Sequence, residues 1–291
     1  MIRSRFAPSP TGPLHLGHAY SALMAHGLAR RQRGQFILRI EDLDRARARP
    51  QWDTQITHDL AWLGIRWEQP IWRQSERGHA YAAALDMLWD QSLLYPCSCS
   101  RRDIQTAVTA PQEGAPLIGP DGVIYPGTCR HKTRGGPRPT DMVLRLDMAR
   151  AFDRATLSYR DMGPTADRPR TITMDRTTAL TTIGDPVIQR RDMVAYHLAV
   201  VVDDAAQHIT HVVRGADLAP ATIIHRVLQT RLSLPAPMYL HHDLIRDDQG
   251  KRLAKRHDAK ALDTYRTQGL GPRDILKKLP PHLLIDEKYL G

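Results

Sequence analysis

Apolar residues recur along this chain in two rhythms. Ile56, Leu60 and Leu63 follow helical spacing within residues 53–63, and Tyr81, Leu85, Leu88 and Trp89 do so within residues 80–94. An alanine-rich stretch over roughly residues 19–33 predicts a further helix. Short unbroken apolar runs predict strands instead: residues 35–40, 143–146, 193–202 and 208–213, with a first short strand near Arg5. After the last of these runs, Asp217 is placed to cap a helix over residues 219–232, with Pro220 tolerated in its first turn. Strand, helix and strand joined by short connections imply a parallel sheet with helices on both faces. The expected fold class is therefore α/β, a doubly wound parallel sheet of the Rossmann type.

The texture changes between these halves. From Leu94 to about Asp185 the chain is rich in Pro, Gly, Thr and Arg and has weak periodicity. The expected organisation is a first half of a nucleotide-binding domain over 1–94, an insertion over 95–187, a second half over 188–245, and a closing segment over 246–291 with short helical content. No internal repeat is visible.

Composition changes this picture little, and charge changes it more. Of 291 residues, 42% are hydrophobic and 25% charged, both ordinary for a globular chain. A formal net charge of +10 and a pI near 9.8 suit a polyanionic partner. No apolar run approaches the roughly 18 residues that span a bilayer, and the first five residues lack the apolar core of a signal peptide. Three cysteines argue against a disulfide framework. A cytoplasmic protein with no membrane association is expected.

The candidate chemistry starts at Arg5-Phe-Ala-Pro-Ser-Pro-Thr-Gly-Pro-Leu-His-Leu-Gly-His18. Three prolines stiffen the connection out of a first strand. His15, Gly17 and His18 then stand at the mouth of a helix, where free N–H groups and the positive dipole end favour phosphate. Two imidazoles three apart on a first turn point the same way. Further on, Arg39-Ile-Glu41-Asp-Leu-Asp44 places carboxylates just past a strand's C-terminal end, where open α/β sheets bind ligands. Arg214 occupies the corresponding place after residues 208–213.

Together with Lys251-Arg-Leu-Ala-Lys-Arg256, and in this order, these stretches resemble the class I aminoacyl-tRNA synthetases of the glutamyl branch. His15-Leu-Gly-His18 looks like the HIGH motif of that class, and Arg252-Leu-Ala-Lys-Arg256 like its KMSKS loop, with Arg252 and Ala254 departing from the usual lysine and serine. The resemblance runs from Arg5 to about Lys260. It implies ATP, bound with Mg²⁺, at His15, Gly17, His18 and Lys255. His15 and His18 would donate to phosphate oxygens, and Lys255 would stabilise departing pyrophosphate. It also implies L-glutamate as the amino acid, held by Arg5, Ser9, Glu41, Tyr196 and Arg214. Those residue types suit glutamate: guanidinium forks match its carboxylates, and Glu41 with the Ser9 hydroxyl matches its ammonium.

Cys97, Cys99 and Cys129 supply three thiolates, one short of a closed tetrahedral zinc site. Spacing leaves the fourth ligand open, and His131 is the chemically obvious choice. The run Tyr125-Pro-Gly-Thr-Cys129 resembles instead the glutamyl-Q synthetases, in which a tyrosine four residues before the last cysteine completes the set. Tyr125 is therefore preferred, with His131 second and a structural role for one Zn²⁺. Only residues 257–291 follow the KMSKS-like loop, too few for an anticodon-binding domain. That length and the cysteine spacing point to the glutamyl-Q tRNA(Asp) synthetase family. The resemblance then implies tRNA-independent activation of glutamate and transfer to queuosine in the anticodon of tRNA(Asp); a monomer is expected. The alternatives are a truncated glutamyl-tRNA synthetase charging a 3′ end and a non-catalytic tRNA-binding paralogue.

Overall fold

A computed structural model describes residues 1–109, 118–132, 134–164, 166, 168–246 and 260–290. The chain opens with β1 (Arg3–Phe6), α1 (Leu16–Arg31), β2 (Gln35–Ile40), α2 (Pro50–Trp62), β3 (Glu68–Arg73) and α3 (Gly78–Asp90). The middle carries β4 (Leu94–Cys97), α4 (Arg101–Thr109), β5 (Ile118–Gly119), β6 (Gly122–Val123), β7 (Val143–Leu146) and α5 (Met148–Ala151). Next come β8 (Thr156–Asp161), β9 (Arg170–Asp175), α6 (Arg176–Thr182), β10 (Val187–Gln189), α7 (Tyr196–Ala206) and β11 (His211–Gly215). A 3-10 turn over Ala216–Ala221 leads into α8 (Thr222–Arg231), then β12 (Met238–His242), α9 (Leu262–Thr267) and α10 (Pro272–Leu276). Among the described residues, no helix is long and apolar enough to cross a membrane.

Seven strands form the large sheet in the order β3-β2-β1-β11-β12-β8-β9. All neighbours are parallel except β8 and β9. The chain winds outward from β1 to β3, then resumes at β11 on the other side of β1. That reversal opens a crevice at the C-terminal ends of β1 and β11, the place where such sheets take ligands. Two strands from the segment expected to be an insertion, β8 and β9, lie in this sheet. β4, β7 and β10 form a separate antiparallel sheet, and β5 pairs with β6.

Alternation along the strands divides the core. Ile37, Val212 and Tyr239 face α3, α7 and α8, whereas Leu38, Val213 and Leu240 face α1 and α2. One polar residue breaks the apolar face of β2. Arg39 has no exposed surface, and its Nη1 lies 2.8 Å from Asp204 Oδ1 and 2.9 Å from Gln207 Oε1. The neighbouring Asp203 accepts from Gln74 at 3.0 Å, Arg77 at 2.9 Å and the Tyr81 hydroxyl at 2.7 Å. Removing one partner of a buried pair of this kind costs about 3–5 kcal/mol.

Three sequence expectations are corrected. Residues 193–202 were expected to be strand, but α7 begins at Tyr196 inside that run and carries the buried Asp203 and Asp204 on its last turn. Asp217 caps no helix: it lies within the 3-10 turn, and α8 is preceded by Ala221. The first helix begins at Leu16, three residues before the expected start, because His15 itself is the N-cap.

Candidate active site

The histidines of the first motif cap each other's helix end. His15 Nδ1 accepts from the Gly17 amide at 3.1 Å, and His18 Nδ1 accepts from the His15 amide at 3.2 Å. The two rings lie 3.9 Å apart. With both Nδ1 atoms accepting, the neutral rings carry their protons on Nε2, the tautomer that donates to a phosphate oxygen. Gly17 is required by this arrangement, since a Cβ there would stand 2.9 Å from His15 Cε1.

A cavity of about 320 Å³ opens beside them at the ends of β1 and β11, lined by Arg5, His15, Gly17, His18, Glu41, Tyr196 and Arg214. Arg5 is 5% exposed; its Nε donates to Asp204 Oδ1 and its Nη1 to the Val213 carbonyl, both at 3.2 Å. Burial works against the Asp204 carboxylate, but Arg5 and Arg39 outweigh it and hold its pKa below the ordinary value. Glu41 goes the other way: burial raises its pKa, only partly offset by Arg39 and Arg5. Arg39 Nη2 reaches Glu41 Oε1 at 3.3 Å.

Arg214 is held by neutral groups. Its Nε donates to His241 Nε2 at 3.2 Å, its Nη2 to the Thr222 hydroxyl at 2.7 Å, and its Nη1 lies 3.2 Å from His225 Nδ1. Burial, reinforced by the guanidinium, holds His225 well below the ordinary imidazole pKa, and burial also lowers His241. Three of the five guanidinium N–H groups are thereby used, leaving one on each terminal nitrogen. Two N–H groups on adjacent nitrogens of a cation 5% exposed make a bidentate seat for a carboxylate.

Ser9 stands elsewhere. It lines an adjoining cavity of about 550 Å³ with Thr11, Asp44, Arg47, Arg101 and Arg190, and Glu41 and Tyr196 line both cavities. Lys255 falls in 247–259, outside the described residues. The chain on the far side of that segment returns to the first motif, where Ala261 bridges His15 and the Leu262 amide donates to the Leu14 carbonyl at 2.8 Å.

The thiols of Cys97, Cys99 and Cys129 converge, their sulfurs all within 4.8 Å of one another. The Tyr125 hydroxyl lies 3.5 Å from Cys97 Sγ, 3.3 Å from Cys99 Sγ and 2.9 Å from the Cys129 amide. Tetrahedral bonds of about 2.3 Å separate zinc-bound sulfurs by roughly 3.8 Å, so this donor set fits zinc closely. His131 is exposed and stands outside the thiol cluster, whereas Tyr125 is buried within it. Arg145 stacks 3.9 Å over the Tyr125 ring, while burial and the hydrogen bonds to the three thiols raise the phenol pKa above its ordinary value.

Sequence reasoning passed over Arg39, Asp204, Thr222, His225 and His241. Arg39 and the Asp203-Asp204 pair carried a signal, being charges inside or closing apolar runs. That they meet is a property of the tertiary fold, which packs the last turn of α7 against β2.

The chain matches the family described as tRNA synthetases class I (E and Q), catalytic domain, over residues 1–151 and 163–280. It is 54% identical over 279 residues to the glutamyl-Q tRNA(Asp) synthetase of Rhodobacter capsulatus, covering 94% of this chain and 97% of that one. The protein of the same name from Geobacter sulfurreducens is 42% identical over 295 residues, covering 100% and 84%. Among solved structures, a glutamate tRNA ligase from Elizabethkingia meningosepticum in complex with its amino acid superposes with a TM-score of 0.71 at 29% identity. The match covers 88% of this chain but only 52% of that ligase, so this chain spans about half its length.

Proposed function

Because this chain belongs to the glutamyl-Q tRNA(Asp) synthetases, within the class I synthetases for glutamate and glutamine, we propose that it activates L-glutamate with ATP in the absence of tRNA and transfers it to queuosine in the anticodon of tRNA(Asp). The observation that carries the amino acid is the buried Arg214 fork, whose protein partners are neutral. Arg214 takes the side-chain carboxylate. Glutamine is refused because its amide leaves the buried cation without an anion. Glu41, Tyr196 and Arg5 surround the remaining amino-acid groups.

The glutamate α-carboxylate attacks the α-phosphorus of ATP, and the bond to the β-phosphate bridging oxygen breaks, releasing pyrophosphate. His15 and His18 donate from Nε2 to phosphate oxygens, and Lys255 neutralises the leaving group together with the Mg²⁺ that accompanies ATP. In the second step a hydroxyl of the queuosine diol attacks the acyl carbon, the bond from that carbon to the phosphate oxygen breaks, and AMP departs carrying the hydroxyl proton on its phosphate. No protein nucleophile is needed. The acceptor reaches the acyl carbon through the second cavity, which shares Glu41 and Tyr196 with the first. Cys97, Cys99, Tyr125 and Cys129 would hold one zinc ion, which would cross-link the insertion and serve a structural role.

Glutamate-dependent exchange of labelled pyrophosphate into ATP without RNA tests the first half-reaction. Mass measurement of the anticodon fragment of tRNA(Asp) tests the second. Label on the 3′-terminal adenosine would transfer the case to a glutamyl-tRNA synthetase activity.

A further inference from the structure

The contacts of Arg214 continue outward in both directions. His225 Nε2 lies 3.1 Å from His197 Nδ1, and His197 Nε2 lies 3.5 Å from Asp121 Oδ1. On the other side, His241 Nδ1 lies 2.5 Å from Asp161 Oδ2. We infer that Asp121, His197, His225, His241 and Asp161 form one directed hydrogen-bond relay that positions Arg214 for its carboxylate ligand, with the three histidines as positioning residues. The inference rests on the assignment of Arg214 to the glutamate side chain.

A guanidinium only donates, and this fixes the direction of every link. His225 must accept at Nδ1, so its proton is on Nε2 and is offered to His197 Nδ1. His197 in turn carries its proton on Nε2 and offers it to Asp121. His241 accepts at Nε2 and carries its proton on Nδ1, facing Asp161. All three rings are therefore neutral, and the two on one side have the opposite tautomer from the one on the other. Carboxylates close both ends, and both are held below the ordinary pKa despite burial, with the histidine hydrogen bond as the largest opposing cause. The charges facing the relay are Arg214 itself, Arg5 near His225, Asp217 near His241, Arg145 near Asp121 and Arg170 near Asp161.

The relay also spans the fold. Asp121 sits in the turn between β5 and β6, four residues before Tyr125, and accepts from the Val187 amide at 3.0 Å. Asp161 closes β8, and His197 and His225 belong to α7 and α8. The glutamate seat is thus braced from the thiol-bearing segment on one side and the large sheet on the other. A ring that changes tautomer would turn a donor toward Arg214 and rotate the fork.

Two measurements on the full chain test this. In protein with ¹⁵N-labelled histidine at pH 7, His197 and His225 should report the Nε2–H tautomer and His241 the Nδ1–H tautomer, all neutral. An imidazolium, or the reverse tautomer at any of the three, overturns the relay. In RNA-free pyrophosphate exchange, His197→Phe should raise KM for glutamate about tenfold, as for loss of one link behind a charge-assisted bond, with kcat within about threefold and KM for ATP unchanged. His197→Asn, whose amide oxygen can replace the Nδ1 acceptor, should recover most of that loss. Unchanged KM for glutamate in folded His197→Phe overturns the inference. Arg214→Ala serves as the separating control: if it too leaves KM for glutamate unchanged, the assignment of Arg214 fails rather than the relay alone.

Discussion

Leu262 donates its amide to the Leu14 carbonyl at 2.8 Å, tying the start of α9 to the residue just before His15. On the other side of the intervening segment, β12 ends at His242, whose Nε2 is 2.6 Å from the Ser21 hydroxyl of α1. The chain on either side of residues 247–259 is therefore fastened to α1 and the residue that leads into its N-cap. Lys255→Ala should lower kcat for exchange by about 100-fold, the scale of one lost transition-state charge contact, and leave KM for glutamate nearly unchanged. Exchange kinetics with varied glutamate measure both; full activity would remove Lys255 from the mechanism.

Metal analysis addresses the thiol cluster. Wild-type protein should hold one zinc, and Cys99→Ser should lose it with a fall in Tm of roughly 5–10 °C. Tyr125→Phe should weaken retention against a chelator, while His131→Ala should not. The opposite pattern would make His131 the fourth ligand.

His26 on α1 gives a pH prediction. It is buried against Phe36, neither ring nitrogen has a hydrogen-bond partner among the described residues, and burial, helped by Arg30, lowers its pKa to about 4. Between about 6.5 and 4 the unfolded chain binds a proton there that the folded chain does not, so stability falls on acidification through that window. The gap corresponds to about 3 kcal/mol, all of it retained above pH 6.5. His26→Leu should raise Tm at pH 5 more than at pH 8. Equal shifts at both pH values would show that the ring titrates normally.

Arg101 and Arg190 line the second cavity and are exposed, and neither side chain makes a hydrogen bond or ion pair among the described residues. If they track RNA phosphates, Arg101→Ala with Arg190→Ala should reduce the slope of log K against log salt for tRNA binding by about 1.4, from roughly 0.7 per contact. RNA-free exchange should stay within about twofold of wild type. An unchanged slope would place the nucleic acid elsewhere.

Much of the architecture was legible, and the errors have physical causes. Val143–Leu146 was read correctly because a short apolar run between polar neighbours has few other uses. The ten-residue run from Met193 was not, since a buried helix and a buried strand give the same unbroken apolar signal. His15, Gly17, Glu41 and Arg214 reach one cavity, as their places at element ends suggested, and so does Tyr196, which only the family resemblance singled out. Ser9 does not, because the prolines carry it past the crevice into the adjoining space. The partners of Arg214 were invisible: His225 and His241 lie on separate elements, and only the pairing of β11 with β12 and the packing of α8 bring them together.

Glu41 and Tyr196 form a wall common to two chambers, one on the side of the helix mouth and one on the side of the exposed arginines. In the proposed reaction a mixed anhydride made against that wall would be consumed where it is made, with pyrophosphate leaving by the first chamber and the nucleic acid arriving by the second. Added pyrophosphate should then compete with ATP and inhibit noncompetitively toward the RNA, which initial-rate kinetics measure.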